Sequence, residues 1–492
     1  MHLSKLFLIF FGCFLSLPIF AYMPAEQLPQ GSRASLIIES LNQQNILFDT
    51  QNNDVFFPPA STLKLVTALA AKLELGDNFR YETRLEKINK DIVVHFSGDP
   101  TLTTEDLKQL FLIAKRNGLE QIDGNIWLDN SAFTGYDRAV GWPWDILGVC
   151  YSAPATAITL DGNCVQASIY TQDDGQTRVY VPEHFPVYVT TQASSVTKDH
   201  QESTQCSLEL VTSPNNHYQL QGCLIKRSKP LPLKFAVQDP ELYTQRMLSN
   251  MLSQIEIPFS GSVKIGTATG GFQATSSQTT SSQTTSSQTT SNLATHNSLP
   301  LINLLTTMLK ESDNLIADNL TKTLGAKFYI QPGSFNNGTQ AIKQIIFAHT
   351  GIDLRDIPMA DGSGLSRNNR FSSLTMAKIL RHIWLNDEQL QLISLMPTSG
   401  ESGTLKYRRS MRKEPIKGQI VAKSGSLYGS HNMAGFGLNH SGKPSTLFVQ
   451  YIADYFPEKK KNDSPPTIAP ITQFEEMFYR DVVSFSQAIP KK

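Results

Sequence analysis

The chain opens with one nearly unbroken apolar block and then turns to short alternating runs. Leu6 to Phe20 is apolar except at Gly12, Ser16 and Pro18, follows the polar His2 and Lys5, and ends at the small residue Ala21. This is the layout of a cleavable export signal over residues 1–21, cut after Ala21. As a membrane anchor the block is short, and Pro18 breaks it. Phe10 and Phe11 are too bulky for a lipid-attachment site at Cys13.

Residues 34–41 and 46–48 read as two strands joined by a polar turn at Asn42 to Asn45. Pro58 and Pro59 precede a helical pattern over 61–75, with Leu65, Leu69 and Leu73 on one face. From 81 to 264 the pattern is of short strands separated by turn clusters such as Ser97-Gly98-Asp99-Pro100 and Asp173-Asp174-Gly175. Residues 275–291 repeat Ser-Ser-Gln-Thr-Thr without an apolar residue and are expected to be a disordered loop. Helical spacing returns at 301–309 and 315–324, divided by Glu311-Ser312-Asp313-Asn314, and 419–424, 434–438 and 446–452 read as strands. Strands at both ends with helices between them predict one sheet built from the two ends of the chain.

Composition narrows the function classes. The 492 residues are 40% hydrophobic and 17% charged, with Lys+Arg 43 against Asp+Glu 43. A balanced charge excludes a nucleic-acid binder driven by a basic surface, and at roughly 150 residues per domain the length predicts about three domains. The basic run Lys459-Lys460-Lys461 reads as a solvated loop that could touch an anionic envelope surface. Once the signal is gone, four cysteines remain: Cys150, Cys164, Cys206 and Cys223. In an oxidising compartment an even, clustered set favours disulfides. Three pairings exist; the sequential one, 150 with 164 and 206 with 223, closes two local loops. Zinc is the competing use of these cysteines, but no CxxC and no HExxH occurs, so no metal is expected.

Three short motifs carry chemistry. Ser61-Thr62-Leu63-Lys64 starts the helical pattern, and its spacing places the amine of Lys64 on the same face as the Ser61 hydroxyl. A serine needs a base to become a nucleophile, and a lysine serves if its pKa is lowered. The positive end of the helix dipole and a second nearby cation would both act that way. Ser312-Asp313-Asn314 lies between two helices, and Lys423-Ser424-Gly425 at the end of a strand, where an ammonium beside a hydroxyl suits a carboxylate. Each motif alone is weak. Ser-x-x-Lys recurs at Ser195 and Ser410, both expected in loops, and Ser-x-Asn recurs at five other serines. The ordered triple in an exported chain is the signature of penicillin-interacting serine acyltransferases and hydrolases.

The chain resembles the low-molecular-mass class C penicillin-binding proteins of the penicillin-binding protein 4 type, D-alanyl-D-alanine carboxypeptidases and endopeptidases. Besides the triple, the likeness rests on Gly98-Asp99-Pro100-Thr101-Leu102, Gly141-Trp142-Pro143-Trp144, Tyr151-Ser152-Ala153-Pro154, Asp361-Gly362-Ser363-Gly364-Leu365-Ser366-Arg367 and Lys423-Ser424-Gly425-Ser426-Leu427. It implies an α/β (α+β) transpeptidase/β-lactamase-like domain, an antiparallel sheet flanked by helices, from 22–86 and 265–492. Two β-rich domains are inserted, one from 87–164 and 240–264 and the other nested at 165–239.

The resemblance also implies roles. Ser61 is the acylated nucleophile, Lys64 its base, Ser312 the proton shuttle and Asn314 a ligand of the substrate backbone. Lys423, Ser424 and Gly425 hold the terminal carboxylate, and the N–H groups of Ser61 and Ser426 form the oxyanion hole. The implied partners are peptidoglycan stem peptides and β-lactams, in the periplasm. Two departures stand out: Ser424 occupies a usual threonine position, and Asp145, a candidate for binding the free amine of diaminopimelate, follows Trp144 directly. A helix cap is the other reading of Asp145. No role is assigned to the 361–367 motif. The alternatives are a catalytically weak penicillin-binding module and a β-lactamase, although no deacylating glutamate is evident.

Overall fold

Long apolar runs near both ends of the chain pair with one another. In the computed structural model, which describes residues 23–50, 52–268, 290–458 and 468–488, a five-stranded antiparallel sheet has the order Ile420–Leu427, Ser430–Leu438, Pro444–Ala453, Arg33–Ser40, Ile46–Asp49. The expected signal, the repeat up to 289 and Lys459 to Lys461 lie outside the described residues. Side chains alternate across a strand. Ile37, Val449 and Tyr451 therefore meet the helices Lys64–Leu75, Leu301–Lys310 and Ser373–Leu385, while Leu36, Ile38, Phe448 and Ile452 meet Phe474, Phe478 and Val482 of the helix Pro470–Ala488. Burial on both faces is why these strands read as continuous apolar runs.

A second five-stranded sheet is mixed, in the order Val263–Ile265, Ile126–Asp129, Asp91–His95, Glu82–Ile88, Thr290–Asn297. Strand pairing therefore puts residues 82–86 and 290–297, assigned by expectation to the catalytic domain, in this sheet, and the last two residues of the predicted loop, Thr290 and Ser291, are strand. Helices Thr104–Arg116 and Pro240–Gln254 cover the sheet through Leu107, Phe111, Tyr243 and Leu248. The strand pattern of the middle third did not indicate them, although each carries a start signal. Thr103 and Asp106 form a capping box, and Asp239 accepts from Leu242 N ahead of Pro240.

Smaller sheets built from segments between Cys164 and Ala236 complete the insertion. The two disulfides are Cys150–Cys164 and Cys206–Cys223, the sequential pairing. With a sequence separation of 14 between the half-cystines, the first removes loop-closure entropy from the unfolded chain. Replacing both Cys150 and Cys164 by serine should lower the stability of the inserted region by about 3 kcal/mol. Urea unfolding of the oxidised protein and the variant measures this, and coincident midpoints would contradict it.

Of the two decoy Ser-x-x-Lys motifs, the one at Ser410 lies in an irregular segment of turns as expected, and the one at Ser195 does not. Ser195 lies in the strand Ser194–Val196, and Lys198 starts the helix Lys198–Thr204. Ser410 lies in the 3-10 turn Arg409–Met411, buried, its hydroxyl donating to Glu475, which also pairs with Arg408. Neither places its serine against its lysine.

Candidate active site

After Pro58 and Pro59 the chain enters a 3-10 turn, Ala60–Leu63, and only then the α-helix Lys64–Leu75. Residues i and i+3 eclipse in 3-10 geometry, so Ser61 and Lys64 stand one above the other, with Nζ 3.0 Å from Ser61 Oγ. Two other partners close on the amine: Asn314 Oδ1 and the Ser363 carbonyl, each at 2.6 Å. The amide of Asn314 is oriented by its Nδ2, which donates to Tyr151 O at 2.7 Å. Asn314 Oδ1 and Ser363 O can only accept. A neutral lysine has two N–H donors and one lone pair, so with both N–H groups committed to these oxygens the lone pair is left for the Ser61 hydroxyl, the one neighbour able to donate.

Burial lowers the Lys64 pKa to about 8, opposed by the charges of Asp318, Asp361 and Asp313. Desolvation therefore does what the helix dipole and a second cation were expected to do. The second cation is Lys423, itself driven well below its ordinary value by burial and then by Lys64. Its Nζ lies 2.8 Å from Ser312 Oγ and donates to Ser424 O at 2.8 Å.

Each residue of Ser312-Asp313-Asn314 faces a different way. Ser312 has φ +61° in the turn between the helices Leu301–Lys310 and Asn314–Tyr329 and meets Lys423. Asp313 turns back to cap the second helix, accepting from Ile316 N at 2.8 Å, and burial raises its pKa. Asn314 faces Lys64. Lys-Ser-Gly sits inside the strand Ile420–Leu427 and not at its end. The Ser424 hydroxyl meets Thr404 Oγ1 at 2.8 Å. A Cβ on Gly425 would stand 2.9 Å from Ser61 N, Thr62 N and Pro59 O, so the strand lies flush against the Ser61 turn.

A cleft of about 510 Å³ opens over Ser61, lined also by Asp145, Tyr151, Ser312, Asn314 and Ser426. Asp145 lies inside the 3-10 turn Trp144–Ile146 and caps nothing, so its exposed carboxylate is free for the cleft. Arg367 lines the same cleft.

The motif left without a role holds the site together. Asp361 accepts from Trp142 Nε1 (2.9 Å), Gly364 N (2.8 Å) and Ser366 N (2.6 Å). Asp318, one helical turn beyond Asn314, accepts from Gly362 N and Ser363 N at 3.1 and 3.0 Å and thereby fixes the carbonyl that Lys64 uses. The spacing from Asn314 to Asp318 was a signal available in the sequence. The contacts of Ser363 and Tyr151 run through backbone carbonyls and had none.

The profile of the D-Ala-D-Ala carboxypeptidase 3 (S13) family matches residues 23–476. The chain belongs to this family. Among its relatives, the D-alanyl-D-alanine carboxypeptidase DacB of Haemophilus influenzae is 35% identical over 484 residues, 96% of each chain. The D-alanyl-D-alanine carboxypeptidase of Actinomadura sp. is 24% identical over 399 residues, 77% of this chain and 70% of its own. The crystal structure of penicillin binding protein 4 from H. influenzae superposes with a TM-score of 0.82 at 36% identity, covering 94% of this chain and 98% of that one. The same protein complexed with a β-lactam gives 0.76 at 34% identity, with the same coverage. The S13 fold is thus shared over nearly the whole chain. Among the described residues no helix is long and apolar enough to cross a membrane.

Proposed function

We propose that this S13 member is an exported serine D-Ala-D-Ala carboxypeptidase that also cuts cross-links between peptidoglycan stem peptides, acting in the periplasm through an acyl-enzyme on Ser61 that β-lactams trap. The observation that carries the reading is the amine of Lys64, with two obligate acceptors on its N–H groups and the Ser61 hydroxyl against its lone pair. Lys64 takes the proton of Ser61 Oγ as that oxygen attacks the carbonyl carbon between the two D-alanines. The N–H groups of Ser61 and Ser426 receive the oxyanion. As the C–N bond breaks, the leaving nitrogen takes a proton through Ser312, beside Lys423, and terminal D-alanine departs with its carboxylate held by Lys423 and Ser424. Lys64, having passed its proton on through Ser312, then takes a proton from the water that attacks the ester and returns it to Ser61 Oγ as the acid leaves, which restores both residues.

Asn314 orients Lys64 and presents its amide to the substrate backbone. Asp145 suits the free amine of a diaminopimelate side chain, and Arg367, in the same cleft, suits its carboxylate. No cofactor takes part.

The test is intact-mass measurement with and without a penicillin, together with D-alanine release from a pentapeptide. The expected result is a stable adduct that Ser61→Ala abolishes, with D-alanine released. Penicillin consumed without an adduct would make the protein a β-lactamase. An adduct without release from either a pentapeptide or a cross-linked dimer would make it a binding module, and no reaction at all would remove the reading.

A further inference from the structure

The cleft over Ser61 is one of two cavities that meet at a shared wall formed by Tyr151, Ser312 and Asn314. The second measures about 730 Å³ and lies toward the inserted units, bounded by the Cys150–Cys164 disulfide, Pro100 and the segment Pro232-Leu233-Lys234. Both volumes fall in the range of sites that enclose a small ligand.

The wall is held from several sides. Asn314 Nδ2 donates to Tyr151 O, Ser152 Oγ donates to Val149 O at 2.8 Å, and Val149 pairs with Phe235 of the strand Leu231–Ala236. The disulfide ties the Cys150–Ser152 turn to the strand Cys164–Thr171. The second cavity is therefore pre-formed.

Its charges are unspent. Lys234 is exposed and has no ion-pair partner among the described residues, and the same holds for Glu311, which also lines the cavity. A monomeric stem peptide places one peptide arm on the acyl side of the scissile bond and a single D-alanine on the other. A cross-linked dimer carries a full arm on each side. Two cavities meeting at Ser312, the residue that serves the leaving nitrogen, match the second kind of substrate.

Resting on the function proposed above, we infer that the cavity between Ser312, the Cys150–Cys164 disulfide and Lys234 binds the second stem peptide of a cross-linked dimer, with Lys234 receiving one of its carboxylates. Lys234 is then a specificity residue for cross-links and plays no part in bond cleavage.

The experiment compares wild type, Lys234→Glu and Lys234→Arg on a cross-linked muropeptide dimer, on a monomeric pentapeptide and in acylation by penicillin. Lys234→Glu should lower kcat/KM for the dimer about tenfold, mainly through KM, since a mispaired charge weakens binding and not chemistry. It should leave pentapeptide hydrolysis and penicillin acylation within about twofold, and Lys234→Arg should recover most of the dimer activity. Equal losses on both substrates, or no loss on the dimer, would overturn the assignment. A wild-type protein that is acylated and trims the pentapeptide but leaves the dimer intact would also overturn it while leaving the Ser61 mechanism standing. A wild type inert to penicillin and to both peptides would remove the proposed function, and this assignment with it.

Discussion

Lys64→Met should slow acylation of Ser61 by penicillin about 10³-fold, within the 10²–10⁴ that a positioned general base contributes. Methionine keeps most of the volume of this fully buried side chain and removes the one basic atom 3.0 Å from Ser61 Oγ. The variant also leaves Asn314 Oδ1 and Ser363 O without their donor, a loss of about 1–3 kcal/mol for the buried Ser363 carbonyl and less for the part-buried Asn314. Against this stands relief from burying an amine. The protein should still fold, and a thermal melt run beside the mass measurement checks this.

The pH profile carries the sharper information. With a Lys64 pKa of about 8, the amine is mostly protonated below that value and cannot accept the hydroxyl proton. The wild-type acylation rate should therefore climb about tenfold per pH unit from pH 6, bend near 8 and level off above it. In Lys64→Met this limb should vanish. If the variant keeps the limb at the same midpoint, the base lies elsewhere, and Lys423, also depressed by burial and 2.8 Å from Ser312 Oγ, becomes the first candidate.

Gly364→Ala should reduce acylation about 100-fold although the residue bears no reacting group. Gly364 has φ +81°, and a Cβ there would stand 1.9 Å from Ala60 O and 3.1 Å from Ser61 N. Both neighbours are backbone atoms of the Ser61 turn itself, where Ala60 is already in the left-handed region at φ +49°, so no side chain can swing away to make room. The turn itself must move, and misplacing a nucleophile by about 1 Å costs about 10² in rate. The control is Gly442→Ala. Gly442 has φ +72° with nothing within 4 Å, so it isolates the conformational penalty of about 1–2 kcal/mol without touching the site. Equal acylation rates in the two variants would show that contact between the 361–367 loop and the Ser61 turn does not set the geometry.

The three motifs were legible because each is local. A 3-10 or helical turn fixes the relation of Ser61 to Lys64, a capped helix start fixes Asp313 against Asn314, and a strand fixes Lys423 beside Ser424. What brings them within bonding distance is not local. The Ser363 carbonyl, the Tyr151 carbonyl and the Thr404 hydroxyl reach the site from three separate stretches of chain, and a backbone carbonyl has no sequence signature. The terminal sheet was legible because its strands are continuous apolar runs. The strand Thr290–Asn297 was not, because it is an edge strand in which only Ala294 is buried, and ladder hydrogen bonds to Glu82–Ile88 hold it without an apolar pattern. The helices at Thr104 and Pro240 were signalled by their caps, but the alternating pattern of the surrounding segments outweighed a four-residue cue.

The sheet joining Arg33–Ser40 to Pro444–Ala453 also sets the timetable of maturation. Ser61 is made early, but the strand bearing Lys423 and the strand that locks the first one into the sheet are among the last to be synthesised. A nascent chain ending before residue 420 carries Ser61 without the strand that lies against its turn. The inserted units can fold while they wait, since their sheets close within 82–297, whereas the pairing of distant strands comes late and slowly. A polypeptide that could attack the cell wall thus stays unarmed until nearly all of it has been made.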